Sequence, residues 1–111
     1  LISTILKVSM TGLGIYAASK SAVNGLMRTY AKELLQRQIR SNSIMPMMIK
    51  TELLSTLTNI SEEDWKKQEA KYPLGFGAPL DVAYMAIFLF SDASRWITGT
   101  QLKMDGGSTL I

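Results

Sequence analysis

The sequence contains no cysteine and no histidine, and this excludes several kinds of functional site. Without cysteine there is no disulfide and no thiolate nucleophile, and without either residue the chain cannot build a zinc site from thiolate and imidazole ligands. A Ser-His-Asp triad cannot be assembled from these residues either. We therefore expect no metal centre and no catalysis by thiolate or imidazole groups.

A strong charge bias and a long apolar run are also lacking. Twelve Lys and Arg residues against nine Asp and Glu give a net charge of +3, and the only adjacent basic pair is Lys66 and Lys67. Such scattered charge argues against a nucleic-acid partner. No apolar run approaches the roughly 20 residues that span a bilayer, and the first residues do not resemble a signal peptide. We expect a cytoplasmic protein without a membrane or nucleic-acid partner.

The length of the chain fits one domain or part of one. It has 111 residues, of which 47% are hydrophobic, so a modest core is possible. The sequence begins Leu1-Ile2-Ser3-Thr4 without an initiator methionine, and these residues have the pattern of the end of a buried strand. We interpret this beginning as a hint of truncation.

The hydrophobic pattern predicts helices alternating with short strands. Apolar residues recur at three- and four-residue steps from 13 to 38, which indicates a long amphipathic helix. Residues 39–45 predict a strand ending at Pro46, because proline cannot donate to a sheet ladder. A helix leading into a strand indicates an α/β fold. Further elements are expected as a helix near Leu53, a helix capped by Ser61 that stops before Pro73, a helix from Pro79 to about Ser91 and a strand over 101–104.

Tyr16 and Lys20 are the residues best suited to chemistry. Residues four apart on a helix share one face, with β-carbons about 5–6 Å apart. A tyrosine titrates near pH 10, and an ammonium about 5 Å away favours the phenolate by about 3 kcal/mol at an effective dielectric near 20. Such a phenol can exchange a proton with an alcohol or carbonyl oxygen. By spacing alone, however, this pair is more often ordinary helix surface.

The context of the pair resembles the short-chain dehydrogenase/reductase family. Tyr16-Ala17-Ala18-Ser19-Lys20 is similar to that family's Tyr-x-x-x-Lys helix, and Ser3 stands thirteen residues before Tyr16, as the family's serine does. Further blocks match in order and spacing over essentially the whole chain; they are residues 39–46, Ile49-Lys50-Thr51, residues 77–83, residues 91–94, Ile97-Thr98-Gly99 and Asp105-Gly106-Gly107.

This resemblance implies a fold, a reaction and a set of site residues. The 111 residues correspond to the carboxy-terminal half of one domain, part of a Rossmann-like doubly wound parallel sheet. Ser3, Tyr16 and Lys20 would be catalytic, and the groups that hold NAD or NADP would be Tyr16, Lys20, Pro46, Ile49 and Thr51. The substrate would be a small carbonyl compound or secondary alcohol, as in 3-oxoacyl-carrier-protein reductases. A homodimer or homotetramer is implied as well.

Two departures from the family pattern stand beside this match. Met47 follows Pro46 where the family usually has glycine, which bears on how closely the backbone approaches the cofactor. The glycine-rich turn that binds pyrophosphate, and the family's Asn-Ala-Gly segment, are not among these residues. The rival hypothesis is therefore a non-catalytic fragment or assembly module that keeps half of the fold.

Several candidate residues also have a purely structural interpretation. Ser3 can simply end a strand, and Thr51 can cap a helix. Asp105-Gly106-Gly107 is expected to be a turn rather than a catalytic element. The apolar residues that could cover a substrate cleft could equally pack a subunit interface; they are Leu53, Leu54, Leu57, Ile60, Trp65 and Tyr72.

Overall fold

The computed structural model describes residues 11–52 and 61–110. Three predictions lie outside these ranges: the strand ending at Ser3, the helix near Leu53, and the packing of Leu54, Leu57 and Ile60. None of the helices in the described ranges is long and apolar enough to cross a membrane.

The long helix α1 spans Gly14–Glu33 and starts where the periodicity predicts, but it ends earlier. The prediction that it continues to residue 38 is wrong, because Leu35–Arg37 forms one turn of 3-10 helix and Gln38 takes a left-handed φ of 56°. This conformation reverses the chain toward the following strand, and apolar periodicity carries no signal for it. Met27 and Ala31 are the buried residues of α1.

Two parallel strands form the sheet of the described ranges. β1 spans Ser43–Pro46 and β2 spans Gln101–Met104, with Ser43 opposite Gln101 and Pro46 opposite Met104. The predicted bounds of β2 are confirmed, whereas β1 is shorter than the predicted strand over 39–45. Residues 40–42 are held by side-chain hydrogen bonds together with one backbone bond, from the Gly99 N–H to the Ser41 carbonyl at 2.7 Å. Arg40 donates to the carbonyl oxygens of Leu89 at 2.7 Å and Ile97 at 3.3 Å.

Two further helices complete the described structure. α2 spans Glu62–Glu69, and the hydroxyl oxygen of Ser61 accepts a hydrogen bond from the backbone N–H of Asp64, as the sequence predicts. α3 spans Pro79–Phe90 with proline in its first turn, where the missing N–H costs nothing. Its start is further fixed because Asp81 Oδ2 accepts from the Ala78 N–H at 2.7 Å. The α/β fold class is confirmed.

Much apolar surface of these elements is exposed. Buried apolar residues in the described ranges are Met27, Ala31, Ile44, Met45 and Trp65. By contrast, α3 buries none of its side chains, although nearly all of them are apolar. The two-stranded sheet and its helices therefore leave apolar faces that nothing in the described ranges covers.

Candidate active site

The first turns of α1 bring Tyr16 and Lys20 together. The Lys20 Nζ lies 5.5 Å from the centroid of the Tyr16 ring, so the ammonium sits near the aromatic face, as the four-residue spacing predicts. The Tyr16 side chain is 42% exposed, and Lys20 is half-buried. The phenol is thus accessible to a ligand while a cation lies beside it.

The packing of the last turn of α1 indicates on which side of the strands this pair is expected. A β-carbon at Gly99, just before β2, would lie 3.5 Å from the Ala31 β-carbon, so the last turn of α1 approaches the chain at the amino end of β2. Tyr16 precedes Ala31 by fifteen residues, or about 22 Å along the helix axis. Because helices in α/β units run antiparallel to their strands, we expect Tyr16 toward the strands' carboxyl ends, where ligands of such sheets bind.

The segment after β1 forms an extended strip at that end. The Met47 N–H donates to the Met104 carbonyl at 2.9 Å, which continues the ladder by one residue. Ile49 then pairs with Gly77 in a parallel bridge, closed by Lys50 N–H to Gly77 O at 2.9 Å and Gly77 N–H to Met48 O at 3.0 Å. A β-carbon at Gly77 would lie 2.6 Å from Ile49 Cδ1. Glycine therefore permits the close approach that fixes the strip.

The peptide groups of Ile49 face away from this bridge. In a parallel bridge the neighbours of Ile49, not Ile49 itself, bond the partner strand, and no other hydrogen bond of the described residues uses its N–H or C=O. One donor and one acceptor side by side match a primary carboxamide, the polar group of a nicotinamide ring. These residues therefore fit that part of a nicotinamide cofactor.

The sequence leaves two questions open: whether Thr51 is a helix cap or a cofactor contact, and whether Met47 can replace the family's glycine. Thr51 directly precedes Glu52, whose backbone is helical, but the residues after Glu52 lie outside the described ranges. Whether Thr51 caps a helix or contacts a cofactor therefore stays a prediction. Met47 shows no positive φ, since Gln38 is the only non-glycine residue of the described ranges with one. The φ angle after Pro46 thus does not require glycine, and the effect of the Met47 side chain on approach of a cofactor stays a prediction.

A cavity of about 500 Å³ lies beside the strip. Aromatic packing shapes its wall: the Tyr72 and Phe76 rings meet edge to face at 4.9 Å, and Phe76 packs on the buried Trp65 at 5.6 Å. Met48 and Met104 add flexible apolar lining. Burial raises the pKa of the Tyr72 hydroxyl, so this phenol stays protonated. The sequence names Tyr72 as a residue that could cover a substrate cleft, but it contains no signal for Phe76 or Met48.

The floor of the cavity is the turn after β2, and Asp105 organises it. This buried carboxylate accepts hydrogen bonds from Gly107 N–H at 3.2 Å and from both the N–H and the hydroxyl of Thr109, and Lys103 Nζ lies 3.2 Å away. Burial raises the pKa of Asp105, but the bonds from Thr109, Gly107 and Lys103 outweigh it and lower the pKa to about 2. The turn predicted for Asp105-Gly106-Gly107 is confirmed, with φ of 57° and 80° at the glycines.

The structure thus groups the predicted site residues in two places. Tyr16 meets Lys20 on α1, while Pro46, Ile49 and Thr51 follow one strip. Ser3 lies outside the described residues, and its predicted role stays a prediction. The sequence names Tyr72 as a residue that could cover a substrate cleft, and Tyr72 lines the cavity. It does not single out Phe76 or Met48, because only their position in space distinguishes them from ordinary core.

Comparisons with known proteins give the same family. A family model described as enoyl-(acyl carrier protein) reductase matches residues 1–109. The 3-oxoacyl-(acyl-carrier-protein) reductase of Thermotoga maritima is 42% identical over 93 residues, which cover 83% of this chain and 37% of that protein. The (3R)-3-hydroxyacyl-CoA dehydrogenase of Mus musculus is 41% identical over 106 residues, covering 95% of this chain and 40% of the mouse protein.

A solved structure agrees with the sequence matches. The short-chain type dehydrogenase/reductase from Mycobacterium ulcerans superposes with a TM-score of 0.86 at 37% identity, over 98% of this chain and 40% of that one. The chain thus spans about two fifths of the length of the curated relatives it matches. With a family match over nearly all of its residues, the chain belongs to the short-chain dehydrogenase/reductases, a family of oxidoreductase enzymes with a Rossmann fold.

Proposed function

We propose that this chain supplies the proton-transfer part of an NAD- or NADP-dependent oxidoreductase that interconverts a carbonyl compound and a secondary alcohol. The observation that carries this proposal is the Tyr16 phenol, exposed at the carboxyl end of the strands with the Lys20 ammonium 5.5 Å from its ring. The names of relatives that act on 3-oxoacyl and 3-hydroxyacyl compounds support a substrate of that class.

In this proposal each side chain has a separate task. The Tyr16 hydroxyl gives its proton to the carbonyl oxygen in reduction, and the phenolate takes it back in oxidation. The Lys20 ammonium stabilises the phenolate and binds the nicotinamide ribose, and Ser3 holds the reacting oxygen by a hydrogen bond. When bound, the reduced cofactor would supply the hydride for carbonyl reduction and the oxidised cofactor would accept it in alcohol oxidation.

Other residues of the chain position the cofactor and the substrate. The free N–H and C=O of Ile49 hold the carboxamide, with Pro46 beside the ring and Thr51 at a phosphate. The cavity lined by Met48, Tyr72 and Phe76 takes the apolar part of the substrate, because these side chains form an apolar wall. The Asp105 carboxylate beside it is already paired with the Lys103 ammonium.

The assay that tests this function follows oxidation of NADH and NADPH by the complete protein in the presence of 3-oxoacyl thioesters. We expect turnover with at least one of the two cofactors. Absence of turnover with both cofactors, in a protein that binds them, would favour the second candidate, a non-catalytic assembly module. The exposed apolar faces of α1 and α3 are the observation behind that alternative.

We also propose that the protein is cytoplasmic and forms a homodimer or homotetramer through α1. Val23, Leu26 and Tyr30 follow one another at helical spacing on that helix and are 43%, 53% and 49% exposed. Light scattering on the complete protein should report more than one copy at micromolar concentration, and Leu26→Glu should lower that mass. A wild-type monomer would contradict this assembly.

A further inference from the structure

The cavity of about 500 Å³ lies where both strands of the sheet end. Met48 and Ile49, which follow β1, line it together with residues 104–107, which end β2 and form the turn after it. Ligands of parallel α/β sheets bind at the carboxyl ends of the strands. Since Ile49 also belongs to the strip proposed to hold the carboxamide, the cavity adjoins the proposed cofactor site.

One polar side chain in the lining of this cavity has no partner in the described ranges. Lys103 and Asp105 pair with each other at 3.2 Å, and Asp81 Oδ2 accepts from the Ala78 N–H at 2.7 Å. By contrast, no hydrogen bond or ion pair among the described residues involves the Tyr72 hydroxyl. A phenol of this kind can donate one hydrogen bond and accept others. It is therefore the polar side chain of this lining that is left for a ligand.

The backbone and the ring of Tyr72 are held in place. Its N–H donates to the Glu69 carbonyl at 2.9 Å, and its own carbonyl accepts from the Gly75 N–H at 2.9 Å. Its ring packs edge to face on Phe76, whose N–H donates to the Glu69 carboxylate at 3.2 Å. A donor that is fixed before binding loses little conformational freedom when a ligand arrives.

The surroundings of this hydroxyl indicate the chemistry of the ligand group. Burial raises the pKa of the Tyr72 hydroxyl, so at neutral pH it is protonated and can donate. An anion would lose its hydration here without gaining a cation, because Lys103 is already paired with Asp105. Met48 and Phe76 add apolar lining. A neutral carbonyl oxygen on an apolar molecule fits these surroundings.

We propose that Tyr72 is a specificity-determining residue, whose hydroxyl donates a hydrogen bond to the thioester carbonyl oxygen of a 3-oxoacyl substrate. This inference rests on the proposed oxidoreductase function. A 3-oxoacyl thioester has two carbonyl groups, of which the 3-oxo group receives the proton from Tyr16 in that function. The thioester carbonyl does not react and is bound by Tyr72. A simple ketone has no second carbonyl and leaves the Tyr72 hydroxyl unpaired.

The test compares two substrates of the complete protein, the 3-oxooctanoyl thioester of N-acetylcysteamine and 2-octanone. We expect Tyr72→Phe to raise KM for the thioester about three- to tenfold, the effect of one lost neutral hydrogen bond. For the thioester, kcat should stay within about twofold, because the bond is made equally in the ground state and the transition state. KM for 2-octanone should not change, since the ring remains. Tyr84→Phe is the matched control, because Tyr84 lies on α3 outside the cavity and is 60% exposed.

Two kinetic outcomes would overturn the role of Tyr72. One is an unchanged KM for the thioester in Tyr72→Phe. The other is an equal rise of KM for both substrates, since the packing of the ring and not the hydroxyl would then be responsible.

A binding measurement separates this inference from the proposed function. If the wild-type protein turns over neither substrate, the proposed function fails, and calorimetric titration with the thioester still tests Tyr72. Weaker binding in Tyr72→Phe than in the wild type and in Tyr84→Phe would support the hydrogen bond. Equal affinity in all three proteins, or no binding to the wild type, would refute it.

Discussion

At the scale of single residues, the helical repeat sets the distance between Tyr16 and Lys20. Residues four apart on α1 share a face, and the ammonium lies 5.5 Å from the ring centroid. The same helix carries Tyr30 and Lys32, which have the same side chains but lie about 20 Å farther along the axis. These two residues therefore separate the chemistry of the pair from general effects of substitution.

Replacing Tyr16 by phenylalanine removes the transferable proton and keeps the ring. In the complete protein we expect kcat to fall about 10²-fold or more, while cofactor affinity stays within a few-fold, since general acid/base catalysis contributes about 10²–10⁴-fold. Steady-state kinetics with an accepted carbonyl substrate measure this. Tyr30→Phe should leave kcat unchanged, and a Tyr16→Phe enzyme that keeps more than about a tenth of kcat would refute the proton-transfer role.

Replacing Lys20 by methionine removes the cation beside the phenol. We expect the pH optimum of the complete enzyme to move upward and cofactor binding to weaken, because the phenolate and the ribose both lose a partner. Rate measurements over a pH series decide this, with Lys32→Met as the control on the same helix. An unchanged profile in Lys20→Met would show that lysine has no part in proton transfer.

Asp105 makes the stability of the fold depend on pH in the acid range. Its pKa of about 2 lies below the ordinary 3.8, so the ionised form is favoured in the folded state. The resulting stabilisation is present above pH 4 and is lost as the pH falls from about 4 to about 2. Denaturant titrations over this range should show the loss in the wild type and a smaller one in Asp105→Asn. The same dependence of unfolding free energy on pH in both proteins would contradict this account of the turn.

At the scale of elements, local signals predict some boundaries and miss others. The proline at the start of α3, the Ser61 cap of α2 and the glycines after β2 act through neighbouring residues, so the sequence predicts those boundaries. The end of α1 depends on the left-handed conformation of Gln38. The start of β1 depends on Arg40, which donates hydrogen bonds to the carbonyls of Leu89 and Ile97, 49 and 57 positions later in the chain. Such distant partners leave no trace in apolar periodicity.

The candidate site likewise has a part that the sequence predicts and a part that it does not. Tyr16 and Lys20 follow from the helical repeat together with the resemblance to a family motif. The cavity wall follows only in part. The sequence names Tyr72 as a candidate to cover a substrate cleft, but Phe76 lines the same cavity as the turn after β2 only in the folded chain. Gly106 shows this directly, since its carbonyl accepts from the Leu74 N–H, 32 positions earlier, at 3.1 Å.

Two glycine-to-alanine substitutions test the role of that turn in stability. Gly106 has a φ of 57°, and a β-carbon there would lie 3.0 Å from the Gly75 carbonyl oxygen, so Gly106→Ala should destabilise the protein by about 1–3 kcal/mol. Gly25 lies in α1 with open space around it, so Gly25→Ala should stabilise by about 0.5–1 kcal/mol. Chemical denaturation measures both. Equal effects of the same sign would contradict the assignment of Gly106 to a crowded turn.

At the scale of the whole molecule, the described residues combine the proposed proton-transfer pair and the proposed carboxamide-binding strip with exposed apolar faces. The groups proposed to contact a dinucleotide reach the nicotinamide ribose, the carboxamide and one phosphate. The glycine-rich turn that binds the pyrophosphate in this fold is not among these 111 residues. Each charge-assisted hydrogen bond lost costs about 1.5–3 kcal/mol. Three such losses, about 4.5–9 kcal/mol together, turn a micromolar affinity into millimolar or weaker.

Calorimetric titration of the 111-residue chain with NADH and with NADPH tests most directly whether these residues contact only the nicotinamide side of the dinucleotide. We expect no binding tighter than about millimolar for either dinucleotide, because the glycine-rich turn that holds the pyrophosphate in this fold is not among these residues. Micromolar binding at one site per chain would contradict the account, since it would mean that these residues alone hold the cofactor.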